Sequence, residues 1–170
     1  MNISVTGMMG TGKSTVARIL ASRLDMEYCD IDSLIIENAG RDIVSIFRDK
    51  GEPYFRLLEK TAIAEVSKKN NLVISTGGGT VLDPQNMENL EKNGIIVCLT
   101  ASADKIYARL KEDDSRPLLK VTDPEKEIEK ILGSRADSYT RCDLMIDTTD
   151  ISADTAADSI IDYIKSIRQD

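Results

Sequence analysis

The stretch "VTGMMGTGKSTVARIL", residues 5–20, constrains this chain more than any other. Gly7 to Ser14 match G-x-x-x-x-G-K-[ST] without substitution. An apolar run precedes the match and a helical pattern follows it, which is the context that gives the pattern its meaning. Glycines there let backbone N–H groups turn inward around phosphate oxygens, and the helix N-terminus adds partial positive charge. In this reading Gly10, Thr11 and Gly12 belong to the cradle and Lys13 reaches the β- and γ-phosphates. Ser14 would ligate magnesium, and Thr15 would donate to the α-phosphate. The expected ligand is a nucleoside triphosphate with Mg2+.

The remaining sequence extends the strand–loop–helix start. Apolar strand patterns occur near 2–6, 27–30, 71–76, 94–100 and 144–148. Helical patterns lie between them: 13–24, 33–38, 42–49, 53–68, 103–111 and 153–168. A further helix starts at Pro84 behind the cap Asp83 and stops at Gly94, and another starts at Pro124 behind Asp123 and runs to about Ser134. Ser102 is the expected cap of the helix at 103–111. Continuous apolar strands alternating with helices predict a three-layer α/β/α domain, its central parallel sheet of about five strands covered on both faces. The stretch "EDDSRPLLKVTD", 112–123, is charged and weakly periodic and reads as a mobile segment. A chain of 170 residues suits one domain with an insertion.

Composition narrows the partners. The formal net charge of −7 argues against nucleic acid and anionic membranes as partners. No apolar run approaches the roughly 18 residues of a membrane span, and "MNISVTG" has no signal-peptide features, so a cytoplasmic location is expected. Cys29, Cys98 and Cys142 are far apart and in no C-x-x-C pattern, which disfavours zinc or a disulfide framework. Cys98, inside "GIIVCLT", reads as a buried small hydrophobe. The chain has no histidine, so a general base must be Asp, Glu, Lys, Cys or Tyr.

The phosphate loop alone does not name a reaction. No N-K-x-D guanine-reading motif is present. The strand "NLVIST" ends in Gly77, Gly78 and Gly79 rather than in an acid, so another carboxylate must serve magnesium. "CDIDS" supplies Asp30 and Asp32 at the end of a short strand, where alternation would put both carboxylates on one face at the ligand-binding edge. The competing reading makes Asp32 the cap of a helix starting at Ser33. Arg56 and Glu59 are one helical turn apart, as a surface ion pair or as parts of a site. Three successive glycines let backbone approach a substrate closely. Arg116 in "DSRPLL" reads as a lid arginine over phosphates or as a solvated charge. Arg135 in "GSRADSY", at the end of a helix, suits a bidentate grip on a carboxylate.

The pieces "GMMGTGKST", "DID", "FRLLE", "GGG", "RPLL" and "RADSY", in this order and spacing, resemble the shikimate kinase family over nearly the whole chain. The resemblance implies a P-loop fold and ATP-dependent phosphorylation of the 3-hydroxyl of shikimate, in aromatic amino-acid biosynthesis. It implies that Asp32, Arg56, Gly77, Gly78, Gly79 and Arg135 bind shikimate, that Glu59 orients Arg56, and that Asp30 sits near magnesium. Lys13, Asp32 and Arg116 would carry the chemistry, and Arg109 would lie against adenine. It implies a core of 1–32, 70–111 and 135–170, a helical substrate-binding region near 33–60, a lid at 112–123, and a monomer. Relatives often carry Arg or Pro after the final strand, whereas this chain reads "DTTDISADT", which points to loose base selectivity. The rivals are another small-molecule kinase, such as one acting on gluconate, and a nucleotide-dependent regulatory module. The second would need switch loops and no constellation of D-x-D, Arg56 and Arg135.

Overall fold

The computed structural model describes residues 1–111 and 123–168. Five strands form one parallel sheet: β1 (Asn2–Gly7), β2 (Glu27–Asp30), β3 (Leu72–Ser75), β4 (Gly94–Thr100) and β5 (Leu144–Asp147). Their spatial order is β2-β3-β1-β4-β5. Strand β1 is central, pairing Ile3 with Val73 on one side and with Ile95 on the other. Parallel strands need crossovers, and the helices supply them. These are α1 (Lys13–Leu24), α2 (Ile31–Ala39), α3 (Ile43–Val66), α4 (Pro84–Glu91), α5 (Ala103–Leu110), α6 (Pro124–Tyr139) and α7 (Ala153–Ile167).

The two faces of the sheet carry separate cores. Successive side chains on a strand point to opposite faces. Ile95, Val97 and Leu99 therefore meet Val16, Ala17 and Leu20 of α1 and Ala156 and Ile160 of α7. Ile96 and Cys98, one residue out of phase, meet Ile63 and Val66 of α3, Leu90 of α4 and Ile128 of α6. A strand buried on both faces has no polar side to show, which is why "GIIVCLT" lacks alternation. The expected three-layer architecture with five strands is the observed one.

Local signals hold in part. Asp83 caps α4 by accepting from the Gln85 N–H at 2.8 Å, and Asp123 caps α6 by accepting from Lys126 N–H at 3.1 Å. Ser102 stands at the cap of α5 without a side-chain capping bond. Gly94 opens β4, while α4 ends two residues earlier at a right-handed Lys92. Helix α6 runs on past Ser134 to Tyr139, because Gly133 stays helical and the buried Tyr139 anchors the last turn. The helices expected at 42–49 and 53–68 are joined in α3, but Gly51 at φ 79° and ψ 171° breaks it between them. Phe47 and Phe55 bridge the break, their ring centroids 4.8 Å apart.

Asp83 also receives the Lys60 ammonium at 3.1 Å. Burial pushes its carboxyl pKa up, but the Gln85 N–H and Lys60 outweigh this and hold it below the ordinary 3.8. A carboxylate with a depressed folded pKa stabilises above its unfolded value and loses that contribution as pH falls through the folded one. Asp83→Ala is expected to cost about 1 kcal/mol at pH 7. In urea unfolding the gap from the parent should close as pH drops below about 3.8; a gap unchanged at pH 3 would contradict this role for Asp83.

Candidate active site

The turn after β1 begins the site. Gly12 takes φ 94° as the cap of α1 and makes no side-chain capping bond. The first N–H groups of α1 are thus available to a ligand, together with the positive end of the helix dipole. The loop is braced from within: Thr11 Oγ1 donates to the Met8 carbonyl at 2.8 Å, and Lys13 Nζ donates to the same oxygen at 2.9 Å. A cleft of about 470 Å³ opens over it. Gly10, Thr11, Gly12, Lys13, Ser14 and Thr15 line one wall. Asp30, Asp32, Gly77, Gly78 and Arg109 complete the expected residues that face it.

Asp30 and Asp32 reach the cleft by a different route from the one their spacing suggests. Asp30 closes β2 and caps α2, its Oδ1 accepting from the Ser33 N–H at 3.0 Å. The helix therefore starts at Ile31 rather than at Ser33, and Asp32 lies in its first turn. Strand alternation does not place the pair; a cap and the first turn of the capped helix do. Ser14 Oγ lies 3.4 Å from Asp30 Oδ2 and 3.2 Å from Ser75 Oγ. These are hard oxygen donors, and they fit magnesium, which takes few protein ligands and completes its shell with phosphate and water.

Glycines join this wall to a second group. A Cβ on Gly77 would sit 2.8 Å from Glu59 Oε1 and 3.2 Å from Asp32 Oδ1. A Cβ on Gly79 would sit 2.4 Å from Arg56 Nη2 and 2.7 Å from its Cζ. The guanidinium is thus packed flat on bare backbone. Glu59 is fully buried and accepts from Arg56 Nη1 at 2.8 Å and from Thr80 Oγ1 at 2.7 Å. Glu52 receives the other edge of Arg56, at 3.0 Å from Nη2 and 3.2 Å from Nε. Burial works against the Arg56 charge, but Glu59 and Glu52 prevail and raise its pKa. Arg135 Nη1 and the Tyr139 hydroxyl both donate to the Gly78 carbonyl, at 3.3 and 2.9 Å. Arg135 lies one turn before the end of α6 rather than at the end itself. Arg116 lies outside the described residues.

At the opposite end, Arg109 donates to the Gly10 carbonyl at 3.0 Å and to the Thr148 carbonyl at 2.6 Å. Thr148 Oγ1 in turn meets the Thr11 and Thr100 carbonyls, each at 2.9 Å. Sequence reasoning missed Thr148, Thr80 and Tyr139 as parts of this network. Tyr139 stands four residues after Arg135, so one helical face carried a signal for it; Thr80 and Thr148 carried none beyond following the ends of strands. Cys98 is fully buried, and burial pushes its thiol up to about 11, which removes it from the candidate bases.

The family model described as shikimate kinase matches residues 9–165. The chain belongs to the shikimate kinase family. A shikimate kinase of Caldicellulosiruptor bescii is 46% identical over 160 residues, covering 94% of this chain and 93% of that protein. One from Geobacter metallireducens is 43% identical, covering 96% of this chain and 92% of its own. The fold is similar to that of Acinetobacter baumannii shikimate kinase solved in complex with shikimate, with a TM-score of 0.95, 35% identity, and coverage of 99% and 95%. Shikimate kinase from Aquifex aeolicus superposes with a TM-score of 0.86 at 30% identity, covering 99% of this chain and 98% of that one. Membership in the shikimate kinase family spans both groups of residues, the loop and the cradle.

Removing a buried carboxylate strands the charge and the hydroxyl it served. Glu59→Ala is expected to lower the unfolding free energy by about 2–3 kcal/mol, the partial exposure of Arg56 moderating the loss. Urea unfolding measures this; a change below about 0.5 kcal/mol would show that Arg56 and Thr80 need no common anchor.

Proposed function

We propose that this chain transfers the γ-phosphoryl group of ATP to the 3-hydroxyl of shikimate, giving shikimate 3-phosphate in the route to aromatic amino acids. One observation carries the reading: the Gly77–Gly79 turn packs against Arg56, Glu59 and Asp32, and its Gly77 and Gly78 line the same cleft as the phosphate loop. A triphosphate on the loop and an anionic acceptor on the arginines would then meet. The membership of the chain in its family supports the choice of acceptor.

The N–H groups of the loop, with Thr11, Thr15 and Lys13, hold the phosphates; Arg109 lies against adenine. Ser14 and Asp30 hold one Mg2+, which when bound neutralises phosphate charge. Arg56 and Arg135 grip the shikimate carboxylate, with Glu59 orienting Arg56 and Gly77–Gly79 admitting the ring. Asp32 orients the 3-hydroxyl and accepts its proton late, since phosphoryl transfer depends on positioning and charge stabilisation more than on a strong base. Lys13, and Arg116 from the segment outside the described residues, would stabilise the transferring group, and closure of the helices at 33–60 would exclude water. In this reading the enzyme is a cytoplasmic monomer whose partners are ATP and shikimate, with neither nucleic acid nor membrane. Among the described residues no helix is long and apolar enough to cross a membrane.

ADP release from MgATP is measured with shikimate, gluconate, quinate, a nucleoside monophosphate or no acceptor. Stimulation by shikimate alone is expected; equal release in every reaction would overturn the assignment. Asp32→Asn should retain ATP binding and lose turnover by roughly two to four orders of magnitude, and near-parental turnover would remove Asp32 from the chemistry. Arg135→Ala should raise the shikimate KM far more than the ATP KM, the lost charged contact costing roughly 2–4 kcal/mol. Equal rises in both constants would contradict a carboxylate-binding role.

A further inference from the structure

The aromatic ring of Tyr28 and its hydroxyl have different surroundings. Tyr28 lies on the edge strand β2, in register with Val73. Its ring packs against the apolar layer between the sheet, α1 and α7, and a phenylalanine would fill that space equally well. The hydroxyl leaves that layer and donates to Asp30 Oδ2 at 3.1 Å. The Arg18 guanidinium, one turn beyond Ser14 on α1, lies over the ring at 5.1 Å from its centroid, a cation–π contact that holds the ring in place.

Asp30 has two obligations. Its Oδ1 caps α2 through Ser33 N–H, which leaves Oδ2 to face Ser14 across 3.4 Å. A 3.4 Å contact aligns Oδ2 only weakly. The Tyr28 hydroxyl is the shorter contact to the same oxygen. Groups that hydrogen-bond a metal-side carboxylate fix its orientation and tune the affinity of the site.

We infer that Tyr28 is a positioning residue for the metal: its hydroxyl holds Asp30 Oδ2 toward Ser14, and Arg18 fixes the ring that carries it. The inference rests on the reading of Ser14 and Asp30 as the magnesium side of the cleft. It concerns Mn2+ or Mg2+ binding with the nucleotide and is independent of the acceptor.

The test is Mn2+ binding to the protein–ADP complex, followed by the loss of the free-ion EPR signal, for the parent, Tyr28→Phe, Asp30→Asn and the double variant. Tyr28→Phe is expected to weaken Mn2+ binding about tenfold, while metal-free ADP affinity and the thermal midpoint stay within error of the parent. The double variant should bind Mn2+ as weakly as Asp30→Asn alone, because the hydroxyl acts through that carboxylate. Additive losses, or a Tyr28→Phe affinity equal to the parent's, would overturn the inference and leave the kinase reading standing. Failure of the parent to bind Mn2+ with ADP would overturn both. As a second readout, half-saturating Mg2+ in turnover should rise severalfold for Tyr28→Phe with the shikimate KM unchanged. A general structural defect would move both.

Discussion

The pairing of β1 on both of its edges is the constraint from which the site follows. Its backbone is hydrogen-bonded to β3 and to β4 at once. All three strands run parallel, so their C-terminal ends emerge together. The phosphate loop leaves β1 and the glycine turn leaves β3, and both appear on the same rim of the sheet. Neighbouring strands lie about 4.8 Å apart, so the two turns must touch. A side chain on either turn would have to occupy that space, and a Cβ on Gly78 would sit only 3.1 Å from the Met9 backbone nitrogen of the phosphate loop. The sheet order thus constrains Gly78 as well as the position of the turn, while Glu59 and Arg56 of α3 constrain Gly77 and Gly79.

The second group depends on a buried acid. Glu59 projects from α3 with no exposure to water and binds one group from its own helix and one from the turn after β3. Charge buried in this way is favourable only when its oxygens are satisfied. Arg56 and Thr80 supply those bonds, and in doing so they tie the helical insertion to the sheet. Arg135 and Tyr139 tie α6 to the same turn through the Gly78 carbonyl. Two helices distant in sequence, α3 and α6, are thereby tied to the one turn that follows β3. In an acidic chain Arg56 and Arg135 bring positive charge to this turn, with Glu59 and Glu52 paired to Arg56.

Much of this was legible from the sequence, and the reason differs by element. Strands β3 and β4 could be read because full burial leaves a nearly unbroken apolar run, and α4 because Asp83 and Pro84 announce it. The phosphate loop could be read because its chemistry demands particular residues at fixed spacing. Asp30 and Asp32 were legible as ligand-edge acids but not in their geometry: periodicity does not say whether a helix begins one residue after a strand or three. The end of α6 was obscured by Gly133, whose local preference is overridden by burial of Tyr139. Thr80, Thr148 and the Tyr28 hydroxyl are joined to the site by hydrogen bonds between elements far apart in sequence, and no local pattern encodes such a bond.

Arg109 has a consequence of this kind. Its Nη atoms are engaged by the Gly10 and Thr148 carbonyls and the Thr148 hydroxyl, and the side chain lines the cleft. A long side chain normally surrenders about 2 kcal/mol of rotamer freedom when a ligand immobilises it. Here that freedom is surrendered when the protein folds, before any nucleotide arrives. In the proposed role of Arg109 beside a nucleotide base, settling of that base would cost little further entropy here, and such a shelf would recognise flatness before the pattern of donors and acceptors along a base edge.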